Sequence, residues 1–319
     1  MSNQTKIEEP AMINGIISVL VVFVLLAVGF YFTRTNKWAE NTPQVFSATV
    51  VQIAAPALAV TSIENRFTPE LLKSSVLNLL IVTACCLILY FIGAGLARLL
   101  KLSKKKTAVF KVTYAFNNTM FIGLPIISIV FGEEGLPYLF TAYLVAIVMF
   151  WSLGAWTISK ASDTIESRAF SVRRIFSPGL IGVMIGCILA GFELHLPVIL
   201  ETALTYLGNI CVPLSLLVIG ANLANSVSRG MLKISVDLIL ILAGKFIISP
   251  LLFWGMFTLF GISGLPLHVF IMIASLPCHA QTAILAQFYD VEGEYSSNMV
   301  SISTLVSLVT IPVYATILL

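Results

Sequence analysis

Long apolar runs separated by short polar segments dominate this chain. Each run approaches or exceeds the roughly 20 residues that a helix needs to cross the hydrocarbon core of a bilayer. The run at 178–193 is the shortest, and its neighbour at 197–222 is long enough to tilt or break. The pattern predicts an all-α polytopic membrane protein with about ten transmembrane helices, at 12–33, 43–62, 74–97, 108–131, 136–159, 178–193, 197–222, 234–259, 266–288 and 296–318.

Composition supports a membrane protein and excludes several other classes. Hydrophobic residues make up 58% of the chain and charged residues 10%, whereas soluble domains carry about 25% charged residues. The net charge of +3 is too small and too scattered to predict a nucleic-acid partner. The five cysteines lie inside apolar runs without metal-ligand spacing, so we expect buried thiols and no metal. No nucleotide-binding or catalytic motif occurs, so we expect no cofactor and no enzymatic activity.

Lysine and arginine in the short loops predict the orientation, because cytoplasmic loops carry an excess of both. They collect after the odd-numbered runs, as in the cluster at 101–106. The acidic loop at 289–294 is predicted to lie inside as well, since acidic residues count for little in this rule. We therefore expect an inner-membrane protein with both termini outside, an extracytoplasmic tail at 1–11 and a cytoplasmic linker at 160–177.

Two pairs of matching segments predict an internal repeat. Pro56 ends Gln-Ile-Ala-Ala-Pro and Pro213 ends Asn-Ile-Cys-Val-Pro, at a separation of 213 − 56 = 157 residues. Phe131 and Tyr289 open similar Gly-ending segments, at 289 − 131 = 158. This offset predicts five-helix halves at 12–159 and 178–319, inverted relative to each other because five is odd, as in many secondary transporters. Chance placement of prolines is the alternative.

Polar clusters interrupt the fourth and ninth runs near their middles. Proline lacks an N–H and clashes with the carbonyl four residues earlier, so both runs are predicted to break. Half-helices that begin there would direct positive dipole ends and free N–H groups at an anion. Alternatively, these are structural kinks, with asparagine bonding a neighbouring helix. The predicted substrate-binding residues are Asn117, Asn118, Thr119, Ser275, Pro277, His279 and Gln281, and the predicted helix-break residues are Pro56, Gly123, Pro125, Pro213 and Pro277.

Lys245 lies inside the eighth run, where a charged side chain is costly and indicates function. It is a candidate for coupling together with Asp237, two turns earlier. The alternatives are that Lys245 extends to a membrane interface or simply pairs with Asp237. Asn222, at the end of the seventh run, is predicted to be a helix cap.

The stretch from Asn118 to Pro125 resembles the Asn-Thr-x-x-x-Gly-x-Pro motif of the auxin efflux carrier family, and Ser275-Leu276-Pro277 with Tyr289 resembles its ninth-helix motif. The resemblance implies a fold like that of bile-acid symporters, in which two broken helices cross. It also implies that Asn118 contacts a substrate carboxylate and that Pro277 lies at the crossover. Asn117 and the Cys278-His279 pair depart from the plant carriers, so a bacterial permease for malate-like acids is the closer expectation.

The predicted function is that of a secondary transporter for small organic anions, such as malate-like carboxylates or auxin-like acids. A sodium-coupled symporter of the bile-acid type is the first alternative, although no acidic residue is predicted near the crossover at mid-membrane. A membrane sensor without transport is the second. The expected partners are a small organic anion and membrane lipid, and a homodimer stays open, as do the substrate, the direction of flux and the coupling ion.

Overall fold

The computed structural model describes residues 8–39, 41–66, 69–163, 177–228 and 234–319. Most of the predicted tail at 1–11 and of the linker at 160–177 lies outside these residues. The described part of the chain is helical and contains no strand. Its α-helices are α1 (Glu8–Arg34), α2 (Thr42–Thr49), α3 (Ala55–Arg66), α4 (Pro69–Leu99), α5 (Lys104–Ala115), α6 (Leu124–Val130), α7 (Leu136–Met149), α8 (Ala155–Ala161), α9 (Pro178–Gly191), α10 (Val198–Asn209), α11 (Cys211–Ser228), α12 (Val236–Ala243), α13 (Ser249–Leu259), α14 (Leu265–Ala274), α15 (Gln281–Phe288) and α16 (Gly293–Leu318).

Short π-helical segments adjoin several of these helices. They lie at Val50–Ala54, Thr119–Gly123, Phe150–Gly154 and Gly244–Ile248. Three of the four are followed two residues later by a proline, namely Pro56, Pro125 and Pro250. A widened turn accommodates a residue that has no N–H to donate. At Pro56 the chain therefore stays helical, and Ala55 donates its backbone N–H to the Val50 carbonyl.

Several of the helical stretches are suited by length and apolar composition to cross a membrane, which makes the chain a multi-pass membrane protein. Six in the described residues are long enough, at Thr42–Asn65, Ser75–Leu99, Glu133–Ala161, Val198–Asn225, Val236–Leu259 and Gly293–Leu318. Shorter apolar helices lie at Val21–Arg34, Thr119–Val130, Pro178–Gly191 and Leu265–Ala274. Each of these stretches overlaps one of the ten predicted runs. The count of ten spans stays a prediction, because four of the helices are short.

Side-chain burial follows the pattern of a protein whose solvent is lipid. Large apolar side chains such as Phe91 and Ile199 are 66% and 87% exposed. Polar side chains such as Thr141, Ser275 and Ser303 are buried and donate hydrogen bonds to backbone carbonyls. An apolar outer surface is favourable in hydrocarbon, whereas polar groups must find partners inside the protein.

Glycines bring two pairs of helices into close backbone contact. α1 packs on α11, where a Cβ on Gly220 would overlap the carbonyl oxygen of Leu26. α9 packs on α3, where a Cβ on Gly182 would lie 2.6 Å from the carbonyl oxygen of Pro56. Small residues at such contacts let helix backbones approach closely, which is how membrane helices gain packing energy.

Candidate functional site

Two unwound segments lie side by side in the middle of the protein. α5 ends at Ala115 and helical structure resumes at Thr119, while α14 ends at Ala274 and α15 begins at Gln281. Asn117 pairs with Cys278 in an antiparallel bridge. Asn118 donates its backbone N–H to the Pro277 carbonyl at 2.9 Å, and His279 donates its own to the Phe116 carbonyl at 3.2 Å. Backbone groups that the helices no longer satisfy thus bond to one another, as burial away from water requires.

The side chain of Asn117 connects the two segments. Its Nδ2 donates to the carbonyls of Ile273 at 2.9 Å and Ala274 at 3.3 Å, at the end of α14. Its Oδ1 accepts a hydrogen bond from Lys245. Asn117 therefore holds the start of one unwound segment against the end of the helix that precedes the other.

Lys245 lies directly behind this junction, in the π-helical segment between α12 and α13. Its side chain is fully buried, and its Nζ donates to the Phe116 carbonyl at 2.8 Å and to Asn117 Oδ1 at 2.5 Å. The lysine does not extend to an interface. Neither of the ion pairs found in the described residues includes Lys245 or Asp237, which lies in the first turn of α12.

A cavity of about 240 Å³, here called the asparagine cavity, lies on one side of the junction. Asn118 is 4% exposed and is placed where it would cap the π-helical segment at 119–123, yet it forms no capping hydrogen bond. Its Oδ1 is buried and has no hydrogen-bond partner in the described residues. The amide is therefore not used by the fold. The cavity is lined by Ser47, Val51, Asn118, Phe121, Ile122, Val218, Ile219, Asn222, Leu223, Ala280, Gln281, Ile284, Val300, Ser301 and Thr304.

A second cavity of about 200 Å³, the histidine cavity, adjoins the first. The His279 ring packs edge-on against Phe150 with 4.4 Å between centroids, and His279 Nδ1 has no hydrogen-bond partner among the described residues. Both cavities are lined by Val51, Phe121 and Gln281, so these residues form a shared wall. The histidine cavity is lined by Val51, Thr119, Met120, Phe121, Tyr143, Ala146, Ile147, Phe150, Trp151, Ser177, His279 and Gln281.

Both cavities are lined mostly by apolar side chains, and the polar side chains among them are uncharged. Within the described residues, neither lining contains an Asp, Glu, Lys or Arg side chain. The same residues hold no cluster of His, Cys, Asp and Glu that could bind a metal ion. The polar groups available there are amides, hydroxyls and one imidazole, which can hydrogen-bond a small polar ligand without binding it too tightly to be released.

Most of the residues predicted for substrate binding lie together at the junction. Asn118, Thr119, His279 and Gln281 line the cavities, whereas Asn117, Ser275 and Pro277 line neither. The Oγ of Ser275 donates to the Met272 carbonyl at 2.8 Å, at the end of α14. Gly123 lies beside the junction, where a Cβ would be 2.7 Å from Leu276 Cδ1. Pro277 lies in the second unwound segment and Pro125 at the start of α6, whereas Pro56 and Pro213 lie in other helices. Pro56 packs on Gly182 of α9, and Pro213 lies in the first turn of α11.

The structure also adds cavity residues that sequence reasoning missed or interpreted differently. Asn222 lies within α11 and lines the asparagine cavity, so its predicted role as a terminal cap was wrong. Tyr143 and Ser177 line the histidine cavity from α7 and from the residue before α9. The only sign of these three residues in the sequence was a polar residue inside or next to an apolar run. Such a residue can equally form an ordinary contact between two helices.

Comparison with known proteins agrees with this architecture. The family described as "Membrane transport protein" matches residues 14–315. The chain is similar to an "Uncharacterized transporter" of Methanothermobacter thermautotrophicus, with 30% identity over 94% of this chain and 97% of the relative. A second "Uncharacterized transporter", from Methanocaldococcus jannaschii, is 25% identical over 94% and 98%. A "Putative malonate transporter" of Rhizobium meliloti is 22% identical over 92% of each chain.

The family match covers nearly all of the described helices, including both unwound segments and Lys245. It also includes the residues from Asn118 to Pro125 that carried the resemblance in the sequence. The chain therefore belongs to the membrane transport protein family, which is the family of the auxin efflux carriers.

Proposed function

We propose that this protein is a secondary transporter that moves small organic anions across the cell membrane, with its substrate site at the junction of the two unwound segments. The observation that carries the proposal is the pair of adjoining cavities beside this junction. They are lined by polar groups that the fold leaves unused, namely the amide of Asn118 and Nδ1 of His279.

The geometry of the helix ends favours an anion. The π-helical segment at 119–123 and α15 both begin at the junction and contribute residues to the cavities. Helix N-termini carry partial positive charge and N–H groups without intrahelical partners. In transporters with interrupted helices such ends bind anionic substrate groups. A carboxylate at this point would gain hydrogen bonds in place of those it loses to water.

Helix packing supports an inverted repeat of ten membrane-crossing helices, with the fourth and ninth broken and crossing as in bile-acid symporters. α1 belongs to the first predicted span and packs on α11 of the seventh, while α9 of the sixth packs on α3 of the second. If each span of the first half is exchanged with its repeat mate in the second half, the contact of α1 with α11 becomes the contact of α9 with α3. Gly29 and Gly186 occupy these contacts at a separation of 186 − 29 = 157, the offset that also relates Pro56 to Pro213.

Both cavities lie on the side of the junction that the loop charges assign to the cytoplasm. Ser47, Asn222 and Ser301 lie toward the helix ends that adjoin basic or predicted cytoplasmic loops, and Ser177 precedes α9 on the same side. On the opposite side lies an apolar cavity of only about 30 Å³, lined by residues such as Ile126 and Ile311. We assign this conformation to the inward-facing state of an alternating-access cycle in the inner membrane, with both termini outside.

Dicarboxylates of three or four carbons are the proposed substrates. The asparagine and histidine cavities together present two sets of uncharged donors that meet at Gln281, which suits a molecule with two carboxylates. The name of the Rhizobium meliloti relative points to the same class.

Uptake of labelled malonate and malate into proteoliposomes tests the proposal. We expect saturable uptake that depends on the protein and responds to an imposed membrane potential, with sodium and choline giving equal rates. Absence of uptake for both acids, and for a wider set of carboxylates, would contradict organic-anion transport. A strict requirement for sodium would instead favour the sodium-coupled alternative.

A further inference from the structure

We infer that the ammonium group of Lys245 is a built-in cation that takes the place of a coupling ion at the junction of the unwound segments. The transport consequences of this inference rest on the proposed function, whereas the cation site itself does not. The starting observation is a fully buried lysine whose ligands are a backbone carbonyl and an amide oxygen.

The two groups that accept hydrogen bonds from Lys245 Nζ are oxygens of the kind that also bind metal cations. Such hard cations prefer oxygen ligands, including backbone carbonyls and side-chain amides. Phe116 supplies its carbonyl at 2.8 Å and Asn117 its Oδ1 at 2.5 Å. Within the described residues, no carboxylate forms an ion pair with Lys245. A buried charge without a counter-ion is costly, so these oxygens must carry its stabilisation.

The position of the charge relative to the helix ends explains what it does. Two helices stop at the junction, α5 at Ala115 and α14 at Ala274, and their C-terminal carbonyls carry partial negative charge. Lys245 bonds the Phe116 carbonyl at the end of α5 directly. Through Asn117, whose Nδ2 donates to Ile273 and Ala274, it also acts on the end of α14.

Charge is therefore separated across the junction. The negative helix ends face Lys245, and the positive helix ends at Thr119 and Gln281 face the two cavities. In transporters with interrupted helices, unwound carbonyls and helix C-termini coordinate the coupling sodium or proton. Here a lysine fills that position permanently. Lys245 lines neither cavity, so it is a positioning residue that also supplies a fixed positive charge.

Melting of the purified protein in detergent tests the cation site without any transport assay. Lys245→Ala should lower the melting temperature and leave a space ringed by the Phe116 and Asn117 oxygens. Ethylammonium, which matches the end of the lost side chain, should restore part of the melting temperature, and sodium should do so to a smaller extent. Choline carries the same charge but is too large and should have no effect. Wild type and Lys111→Ala, which removes a charge elsewhere on α5, should respond to none of these cations.

Lys245→Met provides a second variant, because it keeps most of the volume and removes the charge. Ethylammonium should not rescue it, since the space stays filled. In proteoliposomes its KM for malonate should rise about tenfold or more, as expected when one nearby unit charge is lost in a partly buried site. The wild-type rate should be the same in sodium and choline.

Three results would overturn the inference. The first is a Lys245→Ala protein whose melting temperature does not change when any small cation is added. The second is a malonate KM that is unchanged in Lys245→Met. The third is a wild-type protein that sodium stabilises, because the cation position would then be open. If wild type moves no carboxylate at all, the proposed function fails, and the melting experiment still decides whether the cation site exists.

Discussion

The junction of the unwound segments differs from the contacts of α1 with α11 and of α9 with α3 in the residues that hold the backbone in place. At the helix contacts the chain stays helical, and glycines such as Gly220 and Gly182 let backbones touch. At the junction the helices stop, and the freed backbone groups are satisfied by each other, by Asn117 and by Lys245. The comparison shows that small residues produce rigid packing, whereas a buried polar network is needed to hold an interruption open beside a cavity.

The largest effect should come from Asn117→Ala, which breaks the network at its centre. The substitution removes one acceptor of the Lys245 ammonium and both hydrogen bonds from Nδ2 to the end of α14. A hydrogen bond to a charged group is worth about 1.5–3 kcal/mol and an ordinary one about 1 kcal/mol, so losing all three should cost about 3–5 kcal/mol. Thermal or denaturant unfolding in detergent should show this loss, with Asn65→Ala, at the exposed bond to Glu201, as the control. A loss below about 1 kcal/mol, the worth of a single ordinary hydrogen bond, would contradict a central role for Asn117.

A smaller effect is expected from Gly220→Ala in the helix contact. The added methyl group would overlap the Leu26 carbonyl and push α1 from α11, and overpacking of this kind costs about 1–3 kcal/mol. Gly95→Ala is the matched control, because nothing lies within 4 Å of its Cβ position. The melting temperature should fall for Gly220→Ala and stay level or rise for Gly95→Ala. Equal changes of melting temperature in the two variants would show that the packing of α1 on α11 does not depend on close backbone contact.

The smallest effect should come from the surface pair of Lys105 and Asp163, which belongs to neither region. Their charged atoms lie 2.9 Å apart, and the hydrogen bond from Lys105 holds the pKa of the Asp163 carboxyl below its usual value. A carboxyl group whose pKa is lower in the folded state than in the unfolded state stabilises the fold at pH values above its unfolded-state pKa. This stabilisation is lost as the pH falls through its folded-state pKa. Asp163→Asn should therefore melt slightly earlier than wild type at pH 7 and match it in strong acid. A difference that persists in acid would show that the pair acts by packing.

The sequence predicted the membrane class and the membership in the family, and both are confirmed. The membrane class could be predicted from the apolar runs, because helix surfaces in lipid must be apolar. The family could be predicted from the Asn118–Pro125 motif. The inverted repeat stays a prediction that the helix packing supports, and the orientation stays a prediction from the loop charges. The polar clusters also indicated where Asn118, His279 and Gln281 would lie, next to prolines in apolar runs.

The rest of the site depends on contacts that no local pattern contains. The partners of Lys245 are 128 and 129 residues away in the chain, so the sequence left its alternatives open. Asn222 resembled a cap because it stands near the end of an apolar run, but α11 continues to Ser228 and places it in the cavity. Pro56 was expected to break its helix, and a π-helical segment absorbs it instead.

The most direct test of the central claim is the dissociation constant of malonate for purified Asn118→Ala, measured by calorimetric titration beside wild type and Asn65→Ala. Asn118 uses its side chain for no hydrogen bond of the fold that we find in the described residues, so the variant should melt like wild type. Loss of one charge-assisted hydrogen bond, worth about 1.5–3 kcal/mol, should weaken binding roughly ten- to a hundredfold. Asn65→Ala should bind like wild type. If Asn118→Ala is folded and binds malonate with the wild-type constant, the anion does not bind at the junction and the site assigned here is wrong.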